Sequence, residues 1–440
     1  MQESKRILLV SYYFAPHNRI GAVRPTKLAK YLTRAGHQVT VICGTGFDGG
    51  EDPTMRRDLG ELGDVHVIRE WSPLRSMLMR KAKAAPVKTS AAPAQPKAQP
   101  SSGGVKKLIK RSVDMVYRYL RWMAEQDFRR KAVKELDRLE GSYDAIFSCY
   151  GPVCVHQVAR KAKQKGVAPK WIADFRDEFS FPFGFQKWRN AGFLQMLKKE
   201  ADIVSAVSAG FLEVMGFAEN GRVLSNGYDR EDLPAAEQTA GDGKLRIVYC
   251  GQLNMGRKGV PDRDLTPVFR ALRTLSDEQL ISPEEICMVY AGGEGVLLRR
   301  YAASCDMESC IEDHGWVSRE ESIRLQRNGD ILLMASWNTE TFKGILTGKL
   351  FEYMMMDKPV LCCMGGELAN SGVKRMLEKT GLGVSCEQAD GQAGEEALTN
   401  HLRMLVKRWR AGENLLTGCN QEAVEAYSYP KLAAELAKWI

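Results

Sequence analysis

Apolar residues recur along the first part of the chain with the spacing of short strands and amphipathic helices. Residues 6–14 predict a strand, residues 22–35 predict a helix, and residues 36–43 predict a second strand after a helix-stopping glycine. A strand, a glycine-bearing loop, a helix and a second strand make a right-handed βαβ unit, from which doubly wound sheets are built. The pattern therefore predicts a Rossmann-like α/β domain in the first half of the chain.

The same order of elements starts again near residue 245. A predicted strand at 245–250 is followed by a Gly/Arg/Lys loop and a helix at 265–275, and further apolar runs predict strands at 287–291, 311–314, 331–334 and 360–363. We therefore predict two Rossmann-like, doubly wound α/β domains that face a cleft. The predicted divisions are an N-terminal domain at 1–228, a linker at 229–243, a C-terminal domain at 244–419, and a helix at 420–440 that crosses back to the N-terminal domain.

One internal segment departs from this pattern. Residues 84–104 are rich in Ala, Pro, Lys, Ser and Gln and carry almost no large apolar side chains, so burial cannot offset the entropy of ordering them. We expect a disordered insertion within the N-terminal domain. Ten Lys and Arg but no Asp or Glu fall between residues 74 and 113, so the net charge of +9 is concentrated in this region.

The basic region continues into an amphipathic stretch at residues 105–122. This stretch suits an anionic membrane surface, where each basic residue contributes about 1 kcal/mol. A domain helix with a solvated basic side is the alternative. Nucleic acid is not an expected partner, because no recognised binding module is present. The apolar positions that share one helical face are Leu108, Ile109, Val113, Val116 and Leu120.

The composition is that of a globular protein. The chain has 44% apolar and 27% charged residues and no run of 18 apolar residues. Its 11 cysteines are odd in number, form no C-x-x-C pair and lie mostly in strand-like runs. We therefore predict a reducing, cytoplasmic location, with a peripheral position on the inner face of the membrane if the basic stretch binds lipid.

The strongest candidate site is the segment 344–361. A polar loop leads to Thr347 and Gly348, a helix is predicted to begin at Lys349, and Glu352 lies one turn further on the same face. Free backbone N–H groups at a helix N-terminus favour phosphate, and a carboxylate one turn on can accept two hydrogen bonds from a ribose diol. An ordinary surface Lys–Glu pair is the alternative.

Several segments, taken in order, resemble glycosyltransferase family 4. Thr-Gly-Lys-Leu-Phe-Glu-Tyr at 347–353, followed by Asp-Lys-Pro-Val-Leu, is similar to the donor-site signature of that family. Any one of the segments alone is weak evidence, but the ordered set from residue 6 to about 365 is specific. The other similar segments are 7–14, 36–41, 174–177, 201–208, 225–228 and 315–321.

The resemblance implies a GT-B fold and retaining transfer of a sugar from a nucleotide-diphosphate sugar to a hydroxyl, in surface-polysaccharide or glycolipid assembly. It places Lys349 near the diphosphate, Glu352 on the ribose and Val317 among the donor contacts. The family often has a glutamate where this chain has Gly344, so the resemblance leaves the recognition of the sugar ring open. A bound cofactor is not expected. Neither is a metal ion, since GT-B relatives typically need none and the six histidines are scattered.

A second cationic element follows the strand predicted at 245–250. The loop that begins at Gly251 carries Arg257 and Lys258. Arg263 is the alternative cation if the loop is aligned in another register. Cations aimed at a departing nucleoside diphosphate stabilise the negative charge that develops there. The family commonly has an arginine where this chain has Gln252, and Arg257 is expected to supply that charge. A solvated basic loop is the alternative.

Four residues are candidates on the acceptor side, in the N-terminal domain. Gly21 and Arg24 open the first predicted helix, where a glycine permits close approach of a phosphate or acceptor. His156 follows a strand-to-helix loop, and Asp177 lies beyond a strand at the edge where α/β sheets bind ligands. The alternatives are an exposed arginine at a helix start, a partly buried helical histidine, and an Asp/Arg network that fixes a loop.

Two other classes of function stay open. A nucleotide-sugar epimerase or phosphorylase would share the fold, but it needs catalytic acids or a phosphate site that the sequence does not reveal. A catalytically silent partner subunit that binds nucleotide-sugar or glycolipid would explain Gly344 and Gln252.

Overall fold

The structure of the chain is a computed structural model that describes residues 3–45, 50–71, 104–177, 186–234, 242–253, 263–340 and 346–440. Side chains of 104–114 and 186–189 are not among those described. Several sequence predictions fall outside the described residues. They are the insertion at 84–104 except its last residue, the cations Arg257 and Lys258, and Gly344.

The chain divides into two compact units. The first comprises Met1–Ala206, Glu219–Leu224 and Ala433–Ile440, and the second comprises Val207–Ala218 and Ser225–Leu432. Each unit contains a wholly parallel sheet flanked by helices. The predicted fold class, two Rossmann-like α/β domains, is thereby confirmed.

The first unit is built on a seven-stranded sheet in the order β3-β2-β1-β4-β5-β6-β7. Its strands are β1 Arg6–Ser11, β2 Gln38–Gly44, β3 Asp64–Ile68, β4 Ala145–Cys149, β5 Lys170–Phe175, β6 Ile203–Ala206 and β7 Arg222–Val223. Its helices are α1 Ile20–Arg34, α2 Pro53–Leu59, α3 Gly104–Glu135, α4 Cys154–Gln164 and α5 Gln186–Glu200.

Strand β1 lies at the centre of the first sheet because its side chains are apolar on both faces. Residues 7–11 are all buried, as expected for a parallel strand covered by helices on each side. Leu9 pairs in register with Val41 of β2 and with Phe147 of β4. Since the strand order reverses between β1 and β4, the carboxyl ends of these strands form a crevice of the kind that binds ligands in open α/β sheets.

The second unit is built on a six-stranded sheet in the order β10-β9-β8-β11-β12-β13. Its strands are β8 Leu245–Cys250, β9 Ile286–Ala291, β10 Ile311–Asp313, β11 Ile331–Trp337, β12 Val360–Gly365 and β13 Gly383–Glu387. The helices that follow α5 along the chain are α6 Ala209–Val214, α7 Thr266–Asp277, α8 Gly295–Ala303, α9 Arg319–Asn328, α10 Gly348–Met354, α11 Gly372–Thr380, α12 Gly391–Arg410, α13 Gln421–Glu425 and α14 Tyr429–Ala437.

The reversal of strand order in the second sheet lies between β8 and β11. Leu332 of β11 pairs with Val248 of β8 on one side and with Val360 of β12 on the other. All seven side chains of β11 are buried, so this strand separates two apolar clusters, one on each face of the sheet. The carboxyl ends of β8 and β11 therefore form the ligand-binding crevice that this topology provides.

The C-terminal segment differs from the single helix predicted at 420–440. It contains two short helices, α13 and α14, separated at residues 426–428. In that gap the Tyr228 N–H donates to the carbonyl of Tyr427 at 3.1 Å, and the Tyr429 N–H donates to the carbonyl of Tyr228 at 3.0 Å. The interruption lets the chain pair with the backbone of Tyr228, a long-range contact that no local pattern signals. None of the helices that the structure describes combines the length and the apolar character needed for a bilayer span.

Candidate functional site

Two buried tyrosines fix the loop that follows β8. Tyr249 of β8 and Tyr290 of β9 stack with ring centroids 6.0 Å apart and an angle of 13° between their planes. The Tyr249 hydroxyl donates to the carbonyl of Gln252 at 2.8 Å, and the Tyr290 hydroxyl donates to the carbonyl of Gly251 at 3.1 Å. The start of this loop, residues 251–253, is therefore held at the carboxyl edge of the second sheet by tyrosines of the neighbouring strands.

Lys349, from the first turn of α10, reaches this loop. A Cβ added to Gly251 would clash with its Nζ, and the Nζ lies 5.6 Å from the centroid of the Tyr249 ring. Gly251 also has a φ of +145°, a conformation that L side chains rarely adopt. A glycine is therefore needed here both for the backbone of the loop and for the approach of the lysine.

The charge of Lys349 is poorly compensated. Burial, and next the positive charge of Arg263, lower the pKa of Lys349 to about 8, although Glu352 acts in the opposite direction. No ion pair within 4.0 Å joins Lys349 to a carboxylate among the described residues. A partly buried cation with a lowered pKa at a sheet edge is typical of a site that binds an anion.

Glu352 lies three residues beyond Lys349 and is half-buried. Its side chain forms neither a hydrogen bond nor an ion pair with the part of the chain that the structure describes, so the surface Lys–Glu pair is not formed. Thr347 precedes α10, and its Oγ1 is buried without a described hydrogen-bond partner. Gly348 is exposed and begins the helix, one residue earlier than predicted. The helix has seven residues.

Arg263 is the predicted cation of the Gly251 loop that the structure describes. Its Nη1 donates to the carbonyl of Gln252 at 2.8 Å, and its guanidinium lies 4.8 Å from the Trp337 ring centroid. Together with its effect on the pKa of Lys349, these contacts place Arg263 beside the lysine. The structure thus brings together Gly251, Arg263, Lys349 and Glu352. Val317 lies in the loop after β10, half-buried against the apolar cluster that includes Leu350.

The loop after β9 carries residues that the sequence analysis missed. Glu294 Oε2 lies 3.2 Å from the Tyr290 hydroxyl and accepts from the Leu253 N–H at 3.3 Å, so it ties two loops together. Trp316 is 74% exposed and lies against Gly293. Two consecutive glycines directly after a buried strand, Gly292 and Gly293, were the available signal.

Arg24 is corrected from a ligand contact to a buried structural residue. It is 2% exposed, and its Nε and Nη2 donate to the two carboxylate oxygens of Asp174, each at 2.9 Å. Nη2 also donates to the carbonyl of Leu224 at 2.7 Å, and Ser205 Oγ donates to Asp174 at 2.8 Å. The bidentate pair with Asp174 and the burial of the guanidinium leave Arg24 inaccessible to an acceptor.

His156 is likewise corrected, because it belongs to the core of the first unit. Its side chain is fully buried and its Nδ1 lies 2.8 Å from Ser148 Oγ, which also accepts from Trp171 Nε1 at 2.8 Å. The ring packs 4.5 Å from that of Phe175. Burial lowers the pKa of His156 to about 3, so the imidazole stays neutral. The predicted contact with an acceptor is wrong for a side chain that solvent does not reach.

Gly21 and Asp177 remain at the carboxyl edge of the first sheet. The guanidinium of Arg176 lies against Gly21, and its Nη2 lies 3.6 Å from Asp177 Oδ2. The Asp177 side chain is 66% exposed. Their roles as acceptor contacts stay predictions.

Comparison with known proteins defines the class of fold. Neither a protein-family model nor a curated protein sequence matches the chain. Among solved structures, Anabaena Alr3699/HepE in complex with UDP and glucose is similar over 99% of both chains, with a TM-score of 0.56 and 14% identity. Sucrose-phosphate synthase from Thermosynechococcus elongatus matches over 99% of this chain and 98% of its own, with a TM-score of 0.56 and 14% identity. A putative UDP-N-acetylglucosamine 2-epimerase from Listeria monocytogenes matches over 99% of this chain and 95% of its own, with a TM-score of 0.50 and 11% identity.

These likenesses extend over nearly the whole chain, so the protein has the GT-B fold. At 11–14% identity they establish architecture alone. Both glycosyltransferases and an epimerase use this architecture, so the reaction has to be argued from the residues of the site.

Proposed function

We propose that the chain is a glycosyltransferase that moves a sugar from a nucleotide-diphosphate sugar to a hydroxyl acceptor. The observation that carries the proposal is Lys349, a cation held against Gly251 at the carboxyl edge of the second sheet without a described carboxylate partner. Half-buried and one turn away, Glu352 offers an acceptor for a ribose diol. The bound UDP and glucose of HepE, which shares the fold, are consistent with a nucleotide-sugar donor.

In the proposed reaction the nucleoside diphosphate departs from the sugar and develops negative charge. Lys349 and Arg263 supply positive charge that is fixed before the reaction starts, which lowers the barrier to departure. Arg257 and Lys258 are proposed to add to it. As the family resemblance implies, the transfer is retaining, and the departing phosphate takes the proton of the attacking hydroxyl. Protein cations provide the charge stabilisation that a metal ion gives in other transferases.

The acceptor is proposed to be a glycan or a lipid-linked sugar in surface-polysaccharide or glycolipid assembly. Helix α3 supports this, because Met115, Val116 and Tyr119 are 62%, 57% and 50% exposed and are interspersed with Arg118 and Arg121. Exposed apolar side chains among arginines suit an anionic bilayer surface. Flotation with vesicles of phosphatidylglycerol, compared with phosphatidylcholine, tests the contact. Equal binding to both, or to neither, would contradict it.

A thermal-shift panel with UDP-, GDP-, ADP- and dTDP-sugars tests donor binding. A ligand that binds the native state raises the unfolding midpoint, so one nucleotide is expected to raise it while the others do not. Lys349→Ala should abolish the shift, whereas Lys358→Ala should keep it. Lys358 is a matched control because it lies just before β12, at the amino end of that strand. No shift with any of the nucleotides would contradict the proposal.

The competing classes give different products. An epimerase or phosphorylase would convert the donor without an added hydroxyl acceptor, and the fold shared with the Listeria protein is the observation that favours it. A silent partner subunit would bind the nucleotide but leave the cellular glycan unchanged when Lys349 is replaced by alanine. Transfer that requires acceptor and is lost in the Lys349→Ala variant separates our proposal from both.

A further inference from the structure

Arg176 stands at the carboxyl edge of the first sheet, directly after β5. Its Nε donates to the carbonyl of Tyr150 at 2.8 Å. The guanidinium lies between two glycines: a Cβ added to Gly21 would be 2.5 Å from its Nη2, and one added to Gly151 would be 2.7 Å from the same atom. The start of α1 and the loop after β4 therefore meet at the cationic group of Arg176, which directly follows β5.

The described residues do not neutralise this cation with a hydrogen-bonded carboxylate. Asp174, two residues earlier, is occupied by Arg24 and Ser205. Asp177 Oδ2 forms an ion pair with Arg176 Nη2 at 3.6 Å, beyond hydrogen-bond distance, on a side chain that is 66% exposed to solvent. Only 13% of the Arg176 side chain is exposed, so much of its surface has left water. A desolvated guanidinium usually has a close anionic partner.

Further positive charge gathers around Tyr13, which follows β1 at the same edge of the sheet. Arg121 Nη2 donates to the Tyr13 hydroxyl at 2.9 Å. Burial raises the pKa of Tyr13, and the charges of Arg121, Arg19 and Arg176 all oppose that rise. Glu125 is 3.3 Å from Arg121, but burial raises the pKa of Glu125 to about 7, so its compensating charge is incomplete at neutral pH.

We propose that Arg176 binds an oxyanion, the phosphate ester or carboxylate of a substrate, at the carboxyl edge of the first sheet. The identity of that ligand as a substrate rests on the proposed function. The site itself does not, because a largely buried cation held between Gly21 and Gly151 can bind an oxyanion whatever reaction follows. Gly21 and Gly151 serve this site by leaving room for the guanidinium.

Gly21→Ala is the sharpest variant for a test. The three atoms nearest to the added methyl group all belong to the Arg176 guanidinium, which is the flexible end of a side chain. Gly21 lies in α1 and has no positive φ, so alanine suits the backbone and the fold should survive. Gly192→Ala is the matched control, because Gly192 is also helical and no atom lies within 4 Å of its added Cβ.

The measurement is the unfolding midpoint of the full chain, in a Lys349→Ala background that removes the lysine of the second unit. Inorganic phosphate at about ten times its dissociation constant should raise the midpoint by about 2 °C. Gly21→Ala and Arg176→Gln should remove most of that rise, and Gly192→Ala should keep it. A rise that is the same with and without Gly21→Ala and Arg176→Gln would overturn the inference.

Two further arms identify the oxyanion and separate this inference from the proposed function. Acetate in place of phosphate shows whether a carboxylate suffices, and a sugar phosphate in place of a nucleoside diphosphate shows whether the group belongs to an acceptor or to a donor. In each arm the response must depend on Arg176, or the inference fails. Phosphate binding through Arg176 in a chain that transfers no sugar would leave this inference standing while removing the proposed function.

Discussion

Arg24 and Lys349 are cations at the carboxyl edges of the two sheets, each in the first turns of a helix that follows a central strand. The guanidinium of Arg24 donates two hydrogen bonds to the buried carboxylate of Asp174. Lys349 has a carboxylate only three residues away, Glu352, yet no ion pair within 4.0 Å forms between them. The same sequence signal therefore marks a structural pair in the first unit and an open cation in the second. What decides between them is whether folding brings a distant carboxylate to the cation.

Removing Arg24 should cause the largest effect and test the structural half of this comparison. Arg24→Leu leaves the Asp174 carboxylate buried without its counterion, which typically costs about 3–5 kcal/mol of unfolding free energy. Denaturant unfolding should show this loss, while nucleotide affinity at low temperature stays unchanged. The double variant Arg24→Leu/Asp174→Leu should regain much of the stability. If the Arg24→Leu variant kept the stability of the wild type but had a raised KM for the acceptor, Arg24 would instead be a ligand contact.

Glu352→Gln tests the ligand-binding residues of the second unit. Loss of the charge-assisted hydrogen bonds to a ribose diol should weaken nucleotide binding by about 1–3 kcal/mol, with little change in the unfolding midpoint. Calorimetry with a nucleotide and its 2′,3′-dideoxy analogue checks the assignment. Wild type should prefer the ribonucleotide and the variant should not. An unchanged preference in the variant would place the ribose elsewhere.

The pH dependence of donor binding should give the smallest effect. Because burial and Arg263 lower the pKa of Lys349 to about 8, the lysine loses its proton as pH rises through that value, and donor affinity should fall by up to about tenfold per pH unit above it. Stability should change in the opposite direction. The unfolded lysine, with its ordinary pKa of 10.5, binds more protons between pH 8 and 10.5, so its contribution to the unfolding free energy rises with pH there. A donor affinity that does not change from pH 7 to 9.5 would contradict either the lowered pKa of Lys349 or its role in donor binding.

The sequence predicted the architecture because each strand is a local apolar run. Buried strands such as β1 and β11 show their pattern in a few consecutive residues, and two such series predicted two doubly wound domains. Strand β3 was missed because most of its side chains are only half-buried or exposed, so it lacks that apolar run. The end strand β13 was missed as well. It begins Gly-Val-Ser, with its first two residues only half-buried.

The candidate site was predicted in part, and the errors share one cause. Lys349 and Gly251 are about a hundred residues apart, but each follows a strand at the same edge of a sheet, so topology brings them together. Arg24 and His156 also lie near strand ends. Arg24 is structural because it pairs with Asp174, 150 residues away along the chain. His156 is structural because its helix face packs among apolar side chains. Local spacing carries no information on such partners.

Calorimetric titration of wild type and the Lys349→Ala variant with a nucleoside diphosphate and with the matching nucleoside tests the central claim most directly. We expect Lys349→Ala to weaken binding of the diphosphate by about tenfold to a hundredfold, about 1.4–3 kcal/mol, and to leave the affinity for the nucleoside unchanged. Lys358→Ala should alter neither. Equal affinity of wild type and Lys349→Ala for the diphosphate would contradict the account.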